Sequence, residues 1–137
     1  MRSFKMPVDV PGFEGLVQWV PLPARADARG RLLPLEFGDL PFVPRRVFTV
    51  AEVPAGTVRG EHGHRTGQQL LVGLQGRIEI LLRHGQREAS TVLLPAEPGL
   101  LLQAGVWCRQ TYAQAHSVLL VLASEPYDPA SYIEDWA

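Results

Sequence analysis

The sequence predicts an all-β protein, and three observations carry that prediction. Thirteen glycines and twelve prolines punctuate the 137 residues, leaving short apolar runs that suit strands better than helices. Several of these runs recur at the regular spacing of a sandwich or barrel. Between them, Gln75-Gly76 and His84-Gly85 read as tight turns, because glycine accepts the positive φ that hairpins demand.

In chain order, LVQWVPL (16–22), RLLPLE (31–36) and RVFTVAEV (46–53) are the first predicted strands. VRGEHGH (58–64), QLLVGL (69–74) and RIEILL (77–82) follow, the last two divided by the turn at Gly76. STVLL (90–94) runs into a loop marked by Pro95 and Pro98, beyond which come GLLL (99–102) and WCRQT (107–111). SVLLVLA (117–123) is apolar on both faces, so its outer face needs a second sheet or a partner subunit over it. The tail YDPASYIEDWA has room for one helical turn after Pro129, too short to persist without docking.

Composition narrows the function. Hydrophobic residues make up 46% and charged residues 20%, the balance of a chain that buries a core. At this length one domain, 1–137, is the simplest expectation, burying about two-thirds of the surface of the unfolded chain. The formal net charge of −1 argues against nucleic-acid or membrane binding driven by bulk charge. Cys108 is the one cysteine, so no intrachain disulfide can form. Pro7 and Pro11 interrupt the segment where a signal peptide needs an apolar core, and no apolar run is long enough for a membrane helix. A cytoplasmic location is expected.

The chemistry concentrates in RGEHGHRTGQQLLVGLQG, residues 59–76. On a strand, positions i and i+2 share a face, so His62 and His64 are expected to project into one cavity. The frame of Gly56, His62, His64, Gln69 and Gly76 resembles the first motif of the cupin superfamily, with Gln69 where metal-binding cupins carry glutamate. In GVWC (105–108), Cys108 stands where the second cupin motif supplies a histidine. Losing that carboxylate and that imidazole weakens a divalent-metal site. A zinc site made of His62, His64 and Cys108 stays open on this reading.

Further segments carry a closer resemblance. DARGRLLPLE (27–36), RRVFTV (45–50), PGLLLQAGVW (98–107) and VLLVLASEPYDPASYIED (118–135), with the histidine segment, resemble the sugar-nucleotide 3,4-ketoisomerases of the FdtA/QdtA type, the WxcM-like cupins. The resemblance implies a cupin double-stranded β-helix (jelly roll) and a homodimer with strands from about 16–36 exchanged. It also implies a dTDP-4-keto-6-deoxyglucose-type substrate and catalysis without metal or other cofactor. His62 and His64 would be the catalytic pair, with Arg59 and Gln69 contacting substrate. Imidazole is the natural base for a hydrogen acidified by a neighbouring ketone.

Further substrate-contacting candidates are Trp107 and Cys108 at the cavity wall, Arg46 and Arg77 (with Arg45) as diphosphate partners, and Tyr127 at the pocket edge or a dimer seam. Three departures from the family stand out: Phe48-Thr49 offers no tyrosine hydroxyl, VWC replaces VWH, and the sequence stops at Asp135-Trp136-Ala137. A sugar epimerase, a metal-dependent cupin oxygenase and a non-catalytic sugar-binding cupin remain as alternatives.

Overall fold

The computed structural model describes residues 6–95 and 98–134. Strands β1 (Val8–Asp9), β2 (Val17–Val20), β3 (Arg25–Asp27), β4 (Gly30–Leu32), β5 (Arg46–Val50) and β6 (Thr57–His64) come first. They are followed by β7 (Gln69–Gln75), β8 (Ile78–His84), β9 (Arg87–Leu93), β10 (Gly99–Leu102), β11 (Trp107–Tyr112), β12 (Val118–Ala123) and β13 (Tyr132–Ile133). Two single turns of 3₁₀ helix, Phe37–Asp39 and Pro129–Ser131, complete the regular structure. The second is the turn expected after Pro129, and the Asp128 side chain accepts from the Ala130 N–H at its start. Ala96 and Glu97 of the proline-flanked loop, and the terminal Asp135-Trp136-Ala137, lie outside the described residues.

Two antiparallel sheets form the body, in strand orders β1-β2-β10-β7-β12-β5 and β13-β6-β11-β8-β9, with β3-β4 a separate hairpin. The all-β, jelly-roll expectation holds. Alternation along β8 shows how the sheets seal: Ile78, Ile80 and Leu82 are buried while Glu79 is exposed. Those three meet Leu71, Leu100, Leu119 and Val121 of the facing sheet in one core.

The apolar outer face of β12 and β7 is covered in a third way. Leu70, Val72, Leu101 and Leu122 pack beneath Leu22, Leu33, Leu35, Leu40 and Phe42 of the chain's own arm. The strand predicted over 31–36 is accordingly shorter. It ends at Leu32 in an exposed hairpin with β3, and Leu33 and Leu35 serve the cover instead. No helix among the described residues is long and apolar enough to cross a membrane.

Turns fall at glycines for steric reasons. Gly85 takes φ +59° in the two-residue connection between His84 and Arg87. Gly76 takes φ +79°, and a β-carbon there would collide with Ser117. These turns bring β7 back beside β12 and β8 beside β11, leaving one mouth of the sandwich lined by the ends of β6, β7 and β11.

Candidate active site

The site is built on the pairing of β6 with β11. Cys108 faces His62 across the ladder, then the register shifts so that Arg109 faces Gly60 and Gln110 faces Arg59. Gly60 (φ +84°) and Glu61 (φ +59°) absorb the extra residue as a bulge. Cys108 and Gln110 both line the cavity, so their partners His62 and Arg59 share that face of the sheet. Without the bulge, Arg59 and His62 would point to opposite faces. Arg59 itself is exposed, at the solvent end beside Gln110.

His62 and His64 project together, as their i, i+2 spacing predicts. Their ring centroids lie 5.3 Å apart at an interplanar angle of 84°. Between them Gly63 runs against the Val106 backbone, where a β-carbon would come within 2.5 Å of the carbonyl oxygen. The rings border a pocket, about 370 Å³ with the open solvent at its mouth included, shared with Gln69, Leu102, Gln103, Cys108 and Gln110. His62 Nδ1 and His64 Nε2 are buried and have no hydrogen-bond partner. Unpaired buried polar atoms are costly and rare in folded proteins, so a pair of them at one cavity makes it the candidate binding site.

Burial sets the protonation state. It lowers the pKa of His62, with the Glu134 carboxylate acting in the opposite sense. His64 is pushed down to about 4 by burial first, then by His62 and the Arg46 cation, while Glu125 and Gln69 oppose the shift. The Cys108 thiol is pushed up to about 12 by burial. It stays protonated at neutral pH in this apolar setting. Among the described residues, no group of three or more His, Cys, Asp or Glu side chains is placed to hold a metal ion. The zinc alternative on His62, His64 and Cys108 finds no support in this arrangement.

A second cleft of about 310 Å³ adjoins the first through His64, Gly67 and Gln69 and is bounded by Arg46, Glu125 and Tyr132. The Arg46 guanidinium sits over Phe48 at 4.4 Å and Tyr127 at 5.0 Å from the ring centroids. Arg46 thus stands at the edge of the second cleft, packed on Phe48 and on Tyr127, which itself lines neither cleft.

Two candidates lie away from both clefts. Trp107 neighbours Cys108 on β11 and therefore faces away from the cavity. It is buried against the Arg83 guanidinium, 5.2 Å from the ring centroid, and donates its Nε1–H to the Glu134 carbonyl at 3.2 Å. Arg77 lies beyond the opposite end of β7 from Gln69, 3.7 Å from Glu79, and borders neither cleft. Arg45 is exposed.

One residue was not singled out by the sequence. Tyr132 pairs with His64 through β13, and its ring lies 4.5 Å from the His62 centroid and 4.8 Å from that of His64. The SYI triplet after the proline turn was its one local signal, and nothing in it reports the long-range pairing.

The comparisons with known proteins bear on this geometry. The family model FdtA, described as WxcM-like, C-terminal, matches residues 16–137. The chain belongs to the FdtA family. A TDP-4-oxo-6-deoxy-alpha-D-glucose-3,4-oxoisomerase of Aneurinibacillus thermoaerophilus is 31% identical over 111 residues, 80% of both chains. QdtA, a sugar 3,4-ketoisomerase of Thermoanaerobacterium thermosaccharolyticum, solved with TDP, superposes with a TM-score of 0.82 at 34% identity, covering 88% of both chains. A histidine-to-asparagine mutant of QdtA, solved with TDP-4-keto-6-deoxyglucose, is 33% identical with the same coverage and TM-score. A Helicobacter canadensis 3,4-ketoisomerase reaches 0.80 at 30% identity, covering 88% of this chain and 91% of that one. These FdtA-family relatives are isomerases.

Proposed function

We propose that this FdtA-family chain is an isomerase that moves the keto group between C4 and C3 of a TDP-linked 4-keto-6-deoxy sugar. The observation that carries the proposal is the pair of free, buried imidazole nitrogens opening on one cavity. The names of the relatives supply the substrate class.

The hydrogen on C3 is acidified by the C4 carbonyl, and a neutral imidazole removes it. His62 takes that proton. Of the two rings His64 has its pKa driven far down, which leaves His62 the stronger base. The C3–H electrons move into a C3–C4 double bond and the C4 oxygen becomes an enediolate. Amide donors of Gln69 and Gln110, at the cavity wall, steady that oxygen. The proton then returns to C4, the C3 hydroxyl loses its proton through His64, and the oxygen at C4 gains one. Ketone and alcohol have exchanged places with no net change in redox state.

The test is incubation with TDP-4-keto-6-deoxyglucose in D₂O, followed by NMR. Deuterium at the reprotonated carbon with the ketone moved to C3 is the expected result. Exchange with the ketone still at C4 would indicate an epimerase, and no exchange a binding module; either overturns the proposal.

A further inference from the structure

We propose that Tyr132 is a positioning residue, whose ring wedges against both imidazoles, fixes their orientation and holds water off them. The inference rests on the histidine pair being the working pair, and it names the element that makes it so. His62 and His64 have no hydrogen bond at His62 Nδ1 or His64 Nε2 to fix their rings. A histidine without such an orienting partner is free to turn about its side-chain torsions. Here aromatic packing stands in for the missing bond at His62 and adds to the Gln69 side-chain hydrogen bond at His64. Tyr132 lies tilted by 33° over His62 and edge-on, at 76°, to His64, arrangements that aromatic pairs favour.

The tyrosine is itself pinned. β13 pairs Tyr132 with His64 and Ile133 with Gly63, and the Arg65 N–H donates to the Ser131 carbonyl at 2.7 Å. The Trp107 indole holds the Glu134 carbonyl. Upstream, the Thr66 hydroxyl donates to Glu125 at 2.7 Å. The segment from Glu125 to Glu134 is thus a strap fastened at both ends, with Tyr132 its inward face. Trp107 finds its role here, as a fastening for the strap.

The charged and titratable groups around the two rings are Glu134 and Arg46, Glu125, and Cys108 across the ladder. None of these groups is itself deleted with the tyrosine ring. What changes is the water reaching the imidazoles, and desolvation is the first cause of both low pKa values.

The experiment titrates the ¹⁵N-labelled histidines by NMR in the substrate-free protein, alongside kcat and KM. Tyr132→Phe keeps the ring and should leave both titrations and kcat unchanged. Tyr132→Ala should raise the His64 midpoint from about 4 toward the ordinary histidine value of 6.5. It should also lower kcat by about 10²-fold, the loss expected from misplaced groups, with little change in KM. Tyr132→Leu, which keeps an apolar anchor without a flat ring, substitutes for the alanine variant should that one not fold, and the same rise is expected. A His64 midpoint that stays at the wild-type value without the ring would overturn the proposal. So would a phenylalanine variant as impaired as the alanine one, since the hydroxyl would then be the working group. The titration needs no substrate, so its outcome stands whether or not the ketoisomerase assignment does.

Discussion

An imidazole removes a proton from carbon only while it is neutral and its nitrogen is unoccupied. His62 and His64 meet both conditions, and each has a measurable consequence. Replacing His62 with asparagine keeps a polar amide near the position of Nδ1 but deletes the base, so kcat should fall by about 10²–10⁴-fold with KM little changed. Steady-state kinetics on the variant checks this, and near-native turnover would rule out His62 as the base. The pH dependence follows from the same burial. Both imidazoles have pKa values below 6.5, so the acid limb of kcat/KM should fall below that value. Stability shares the sign. The unfolded chain binds a proton at His64 near pH 6.5 and the native chain near 4, so stability is full above 6.5 and declines as pH falls toward 4. Thermal melts between those values should show Tm dropping with pH, and His64→Asn should flatten the drop. The arginines separate in the same way: Arg46→Ala should raise KM, whereas Arg77→Ala, remote from both clefts, should leave kinetics unchanged.

Strands position these groups through parity, and parity decides what the sequence could reveal. His62 with His64 is a local i, i+2 relation, legible from the motif alone, and Cys108 followed from the second cupin motif. Trp107, expected at the cavity wall, lies on the other face by the same rule: if Cys108 faces the cavity, its neighbour does not. Arg59 shares the face of His62 only through the bulge at Gly60-Glu61, whose residues carry positive φ but no apolar signature. Tyr132 was illegible because its position depends on a pairing with His64, 68 positions earlier in the chain. The strands β1 and β3 are exposed throughout, so no buried face imposed an apolar pattern on them. Gly63 gives this scale its own prediction. A methyl group there would press on the Val106 carbonyl, so Gly63→Ala should push β6 away from the 105–107 segment. The expected cost is about 1–3 kcal/mol in urea unfolding, as for overpacking elsewhere, with loss of activity because both histidines flank the displaced residue.

At the scale of the molecule, the covered outer face bears on assembly. The arm that supplies Leu22, Leu33, Leu35, Leu40 and Phe42 emerges from β2, which hydrogen-bonds to β10 of the same chain. The same contacts form equally well if the arm and β2 come from a second copy, since exchange replaces each intrachain pair with an identical interchain one. Leu32, Phe37, Val43 and Val47 remain exposed along or beside the arm, and a second copy would bury apolar surface of that kind. We therefore expect a homodimer of two 15.1 kDa chains with the 16–36 segment exchanged. The register of β2 on β10 opposes Gln18 to Leu101, so cysteines at both positions report which chain donates the strand. Cys108, with its buried thiol, should not interfere. Oxidation of the Gln18→Cys, Leu101→Cys variant should give a disulfide-linked dimer on a non-reducing gel. A monomer that gains mobility through an internal bridge would show that each chain keeps its own strand, and sedimentation of the unmodified protein would then decide whether two such chains still associate through their exposed valines.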